Sequence, residues 1–334
     1  MKYIGLFCRC ITWRKFFVLL GAVIFSGAAA AQANAKIESR QSSLLTHGTN
    51  LTGGWLGGAL DPVQGPHVAS IPAGFISWQM PSVISGRGDF LYVVDGGRRQ
   101  IFRFDTVRQA LTKFGSCSAC DGTSIAVARD LSLYVADSSS RQVQRFAADG
   151  RKLQTFSNEY ELTSPVAVLL EEPGGKLYVA DGIYNHVVVF NSLGRVLQVL
   201  KPSQGRSIVA MALGPDGLYL VDRLGAQVVV MGQDGSDRYT LGKGELKMPI
   251  AIAVDRFNRV FVSDIFDNSI KIFENGELVG RVSASGVVPA SFNRITSLTL
   301  EQNILYLADS LNRRILSFHV SPAFPVAPAR ARSE

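Results

Sequence analysis

The chain has 334 residues, 47% hydrophobic and 18% charged, which is enough apolar material for a packed core and excludes a charge-rich disordered protein. Its formal charge of +7 is concentrated at the start: without Lys2, Arg9, Arg14 and Lys15, 30 Lys+Arg face 27 Asp+Glu, a charge of +3. A balance that small gives no electrostatic case for nucleic acid as a partner.

Residues 1–35 read as an export signal. The four basic residues come first, then the apolar run FFVLLGAVIF (residues 16–25), then small residues ending Ala31-Gln32-Ala33-Asn34-Ala35. Two A-x-A cleavage sites fit, after Ala33 or after Ala35. Even counted to Ala31, the run falls short of the roughly 20 apolar residues of a membrane span. Cleavage is therefore expected rather than retention as an anchor, and with it a periplasmic or secreted protein with no integral membrane span. Cys8 and Cys10 would leave with the signal. Cys117 and Cys120 remain, and in an oxidising compartment they are expected to form a disulfide. Asp121 stands where a haem-attachment motif would place His, and zinc would need a second pair.

Residues 36–66 are rich in Gly, Ser and Thr and show no strand or helix period. They are expected to form a flexible N-terminal arm, with Trp55 and Leu56 docking on the body.

From there a repeat takes over. Its template is MPIAIAVDRFNRVFVSDIFDNSIKIF (residues 248–273), three β-branched and aromatic runs bounded by Asp, Asn and Gly. The second strand of each copy ends in aspartate, at Asp95, Asp137, Asp181, Asp222, Asp264 and Asp309. The intervals are 42, 44, 41, 42 and 45 residues, and the sixth residue after every Asp is β-branched. Periods of this length with about four strands each predict an all-β, six-bladed β-propeller of four-stranded antiparallel blades over residues 67–320. One blade cannot hide both faces, whereas six stacked around an axis bury every face between them.

The sixth blade lacks a fourth strand of its own. After Val320 comes SPAFPVAPARARSE, too rich in Pro for a strand and expected to be a disordered tail, residues 321–334. The missing strand is expected from the other end of the chain, residues 68–71 (VASI), zipping onto residues 315–320 and leaving no open edge.

The repeat resembles the NHL family. Pro249, Ile252, Ala253, Val254, Asp255, Val262 and Asp264 carry the pattern in blade five, and Asp309-Ser310-Leu311-Asn312-Arg313-Arg314-Ile315 carries it most fully in blade six. Asp181, Asn185 and Val187 carry part of it, while blade four departs, with Arg223-Leu224-Gly225-Ala226-Gln227 lacking the Asn and Arg. The resemblance implies a propeller that serves as a binding platform, with lyases and lactonases among its relatives.

Six aspartates spread evenly around a ring cannot meet at one metal. They are expected to accept backbone N–H bonds in the loops after strand two. Of His47, His67, His186 and His319 only His186 falls in a blade loop, where a lone His reads as solvated surface. No G-x-S-x-G occurs, and the inner-strand ends carry Ser82, Thr123, Ser164, Ser207, Met248 and Arg294 rather than carboxylates. No catalytic residue, metal site or cofactor is assigned. The loops after strand two carry Arg98, Arg99, Arg141, Tyr184, Asn185, Arg223, Phe266 and Arg313, the composition of a contact surface. The function expected is an exported, non-catalytic scaffold offering that face to a protein or an acidic cell-envelope glycan. The alternative is a metal-dependent lyase or lactonase working at the channel.

Overall fold

The computed structural model describes residues 44–56, 74–116, 124–283 and 291–322. Six antiparallel blades, over residues 81–116, 124–156, 165–200, 208–241, 249–282 and 295–320, surround one axis, as the repeat predicts. Blade five shows the unit: Pro249–Val254 innermost, then Val260–Asp264, Ser269–Glu274 and, outermost, Glu277–Val282.

Register repeats with the sequence. In every blade the β-branched residue six after the Asp lies opposite the residue just before that Asp, as Ile101 faces Val94 and Val187 faces Ala180. All six of these β-branched side chains are buried. Because side chains alternate across a strand, one shared register sends equivalent positions to the same inter-blade layer. The core is accordingly a set of clusters, each spanning two neighbouring blades. One joins Tyr219, Val221, Val228 and Val230 of blade four to Ile252, Val260, Val262 and Phe273 of blade five.

The last blade is completed from the N-terminus, though not by the predicted residues. Strand β1, Leu45–Leu51, pairs antiparallel with Arg314–Val320, Leu45 opposite Val320 and Leu51 opposite Ile315. It occupies the edge expected for residues 68–71, which lie outside the described residues. Closeness also matters along it: a Cβ on Gly48 would sit 2.6 Å from Ser317 Oγ.

Strand β1 and the strand after it both fall in residues 36–66, read as a flexible arm, and a third strand follows beyond it. Strands β2 (Gly53–Leu56) and β3 (Gly74–Ser77) form a hairpin that extends blade one to six strands, with β2 running parallel to Ala110–Ser116. Leu56 docks into the blade-one core, whereas Trp55 is exposed and meets Phe75 edge-on at 5.4 Å. Gly54 makes the approach possible, since a Cβ there would come within 2.9 Å of Leu111 and Phe104.

Closure is reinforced next to the axis. Side chains of Ile295–Glu301, the first strand of blade six, bond the backbone of Pro81–Arg87, the first strand of blade one, and the turn after it. Thr296 Oγ1 donates to Ser82 O (2.8 Å). Ser297 Oγ accepts from Ile84 N (3.1 Å), Thr299 Oγ1 from Gly86 N (3.2 Å) and Glu301 Oε1 from Gly88 N (3.1 Å).

Candidate functional site

The blade aspartates organise one face of the disc. Each ends strand two, and in five of the six, Asp137 apart, the carboxylate ties the loop after that strand to the loop that enters strand one; Asp137 accepts from Ser139 N at 3.0 Å. Asp95 accepts from Gln79 N and Met80 N, both at 2.9 Å, and Asp264 from Lys247 N (2.8 Å), Met248 N (3.0 Å) and Phe266 N (3.1 Å). Asp222 accepts from Ser207 N and Gly225 N at 3.0 Å each, and Asp309 from Asn293 N at 2.8 Å. Burial alone would raise the Asp181 carboxyl. The N–H groups of Tyr184, Ser164, Thr163 and Ile183 outweigh it and hold the group below the ordinary carboxylate range. The same balance lowers Asp264, where burial is outweighed by the buried Lys271 ammonium, 2.6 Å away, and by three backbone donors. These are structural anchors, as their even spacing predicts. Among the described residues no three His, Cys, Asp or Glu side chains are grouped so as to hold a metal ion.

A second repeat lies in the loops themselves. The fourth residue after each Asp is left-handed: Arg99 (φ 54°), Arg141 (56°), Asn185 (53°), Ala226 (49°), Asn268 (49°) and Arg313 (55°). The tight turn pushes the two residues before it outward. Asn is favoured at such a position, and two copies use its side chain. Asn185 Oδ1 accepts from Ile208 N at 3.1 Å and Asn268 Oδ1 from Arg294 N at 2.9 Å, each linking its blade to the next.

The fifth residue after the Asp explains His186. This histidine opens strand His186–Phe190 and is 3% exposed, so the expectation of a solvated loop residue is wrong. Its Nε2 lies 2.6 Å from Glu161 O in the loop entering blade three. Arg314 holds the same place in blade six, donating to Asp309 Oδ2 at 2.8 Å and to Ser291 O at 3.3 Å, and Gln227 holds it in blade four. His186 thus belongs to a series of buried braces between paired loops. It also floors a cleft of about 300 Å³ lined by Tyr160, Glu161, Tyr184 and Lys201.

The other predicted contact residues all reach this face, in separate blades. Arg99, Arg141, Tyr184, Arg223, Phe266 and Arg313 are exposed. Arg98 is exposed too, but its guanidinium is committed in part, Nε (3.1 Å) and Nη2 (2.9 Å) donating to Ser77 O of β3. Cys117 and Cys120, with their expected disulfide, lie outside the described residues.

One feature escaped the sequence reading. The second residue after the Asp is a large apolar one in four consecutive blades: Ile183, Leu224, Phe266 and Leu311, between 50% and 70% exposed. Cations share this rim. Lys201 lines the cleft next to Ile183's neighbour Tyr184, Arg223 precedes Leu224, Lys247 Nζ sits 4.3 Å from the Phe266 ring centre, and Arg313 follows Leu311 by two. The common spacing from the Asp was the available signal.

Charge divides the two faces. Among the described residues, the inter-strand loops on the aspartate-anchored side carry ten Lys or Arg, all exposed, and four Asp or Glu, besides the six strand-end aspartates, five of which are buried. The hairpin loops on the opposite side carry six and seven.

The architecture defines the class: this chain is a six-bladed β-propeller. Neither a family model nor the sequence of a characterised protein matches it. Its fold is similar to that of a streptogramin B lyase, with TM-score 0.57 and 11% identity over 76% of this chain and 96% of that one. It is also similar to virginiamycin B lyase from Staphylococcus aureus, with TM-score 0.53 and 12% identity over 73% and 86% of the two chains. A third similar structure is Kuenenia stuttgartiensis hydrazine synthase, with TM-score 0.54 and 13% identity over 77% and 99%. At such identities the likeness is one of fold.

Proposed function

We propose that this protein is an exported, non-catalytic binding scaffold that engages an anionic macromolecule through its aspartate-anchored loop face. The observation that carries the reading is the exposed charge: ten exposed basic residues against four acidic loop residues on that face, where five of the six strand-end aspartates are buried, and near balance in the loops of the other. A one-sided basic surface attracts an anionic partner and orients it before contact. The loop backbones are pinned by buried carboxylates, so the face is presented with little ordering cost on binding. The N-terminal segment supports a periplasmic or secreted location, and the NHL-like repeat supports a platform role.

The test replaces Arg141, Arg223 and Arg313, all exposed, together by Glu. Folding, followed by circular dichroism and melting, should be unchanged, and capture of the native partner from an envelope extract should be lost. Unchanged capture overturns the assignment of the face. Two of the similar folds are lyases by name, and metal analysis of the purified protein addresses the enzymatic alternative. One tightly held ion per chain would favour a metal-dependent lyase or lactonase at the channel.

A further inference from the structure

We propose that the anionic partner of this face is a lipid surface: blades three to six dock the propeller, disc-flat, on a bilayer rich in acidic phospholipid. The inference rests on the reading of the loop face as the binding surface and names what that surface meets.

Three observations favour a bilayer over a protein. Ile183, Leu224, Phe266 and Leu311 occupy the same repeat position in four successive blades, so the ring sets them at equivalent places along one rim. A bilayer is planar and apolar beneath its headgroups, whereas a protein partner would need matched relief. Second, the tips come one per blade rather than as a merged patch. Protein interfaces concentrate their energy in a contiguous buried centre, while separate side chains each insert between lipid headgroups. Third, exposed cations share the rim with the tips, and Lys247 lies on the Phe266 ring at 4.3 Å. An apolar group entering the acyl boundary with a Lys or Arg at phosphate level is the arrangement that binds acidic membrane surfaces. Hydrophobic insertion and attraction to phosphate then act together, and the near-neutral opposite face stays in water.

The experiment is co-sedimentation of the full chain with vesicles of phosphatidylglycerol and phosphatidylcholine, against vesicles of phosphatidylcholine alone. Wild type should bind the anionic vesicles at least tenfold more tightly than the neutral ones, and less as salt rises. The variant Ile183→Ser, Leu224→Ser, Phe266→Ser, Leu311→Ser should fold normally, since all four side chains lie outside the core, and lose at least tenfold in binding. The Arg141, Arg223, Arg313→Glu variant should lose binding as well. Because wild type and variants share the same N-terminal segment, its affinity for lipid cancels between chains, and the comparison of chains on anionic vesicles is the deciding one. Equal partitioning of the four-Ser variant and wild type overturns the proposal, as does equal binding of wild type to neutral and anionic vesicles. If the Glu variant loses capture from an envelope extract while vesicle binding is unaffected, the lipid assignment fails and the scaffold reading stands. If capture is unaffected too, both fail.

Discussion

Leu45 lies opposite Val320 on the outer edge of blade six, so the first and last strands among the described residues are hydrogen-bonded neighbours. Within the same pairing Thr49 N donates to Ser317 Oγ at 2.7 Å. This contact converts an open arc into a ring. Leu45 is buried, and its truncation to Ala should cost about 2–5 kcal/mol, read from denaturant unfolding. Deleting residues 44–51 would bare the edge of Arg314–Val320, so the melting temperature should fall sharply and the chain should associate in light scattering. A deleted chain that melts like the intact one contradicts ring closure by β1.

Acid should loosen the loop face first. The carboxyls of Asp181 and Asp264 are held below their ordinary values when folded. A depressed folded value means the unfolded state binds the proton more readily. Their contribution is therefore complete above the unfolded carboxyl value of about 4 and is lost as pH falls through the folded value. Unfolding free energy measured from pH 7 downward should be flat to about pH 4–5 and then decline. Asp264→Asn should reduce that acid dependence and leave the buried Lys271 with Asp267, 3.1 Å away, as its remaining charge partner, at a cost below the roughly 3–5 kcal/mol of a fully broken buried pair.

His186 can be exchanged for the residue its neighbours use. Gln227 occupies the same place in blade four, so His186→Gln should stay within about 1 kcal/mol of wild type by keeping a donor to Glu161 O. His186→Leu removes that donor and should cost about 1–3 kcal/mol in the same unfolding assay. If the two variants prove equally stable, the brace contributes nothing.

Ala226 is the weak copy of the left-handed position. Its φ of 49° suits Asn better than Ala, so Ala226→Asn should raise stability by about 0.5–1 kcal/mol. Ala226→Val, β-branched at positive φ, should lower it by more than about 1 kcal/mol. The departure of blade four from the NHL-like pattern also has a local reason. Asn185 spans to Ile208 N, and the corresponding residue after blade four is Pro249, which has no N–H to offer.

The ring, its register and the role of the aspartates were legible because six copies share one spacing, and a repeated carboxylate at a strand end has one economical use. The closing strand was misplaced for a physical reason. LTHGTNL is an outer strand with most of its middle residues partly or fully exposed, so it carries no apolar alternation to read. Residues 68–71 look more like a strand by residue type alone. His186 was judged as an isolated histidine, when its place five residues after Asp181 grouped it with Gln227 and Arg314. Of the exposed tips only Phe266 was singled out, since Ile and Leu normally signal core. That their side chains point outward follows from the turn geometry, which the amino-acid types do not announce.

The most direct test of the loop face as the binding surface is site-specific photo-crosslinking in intact envelopes. A crosslinker at Phe266 would probe the aspartate-anchored face, and one at Val107, 73% exposed on a hairpin loop, the opposite face. Adducts should form from position 266 and not from position 107. Adducts from position 107 alone, or equal yields from both, would contradict the account.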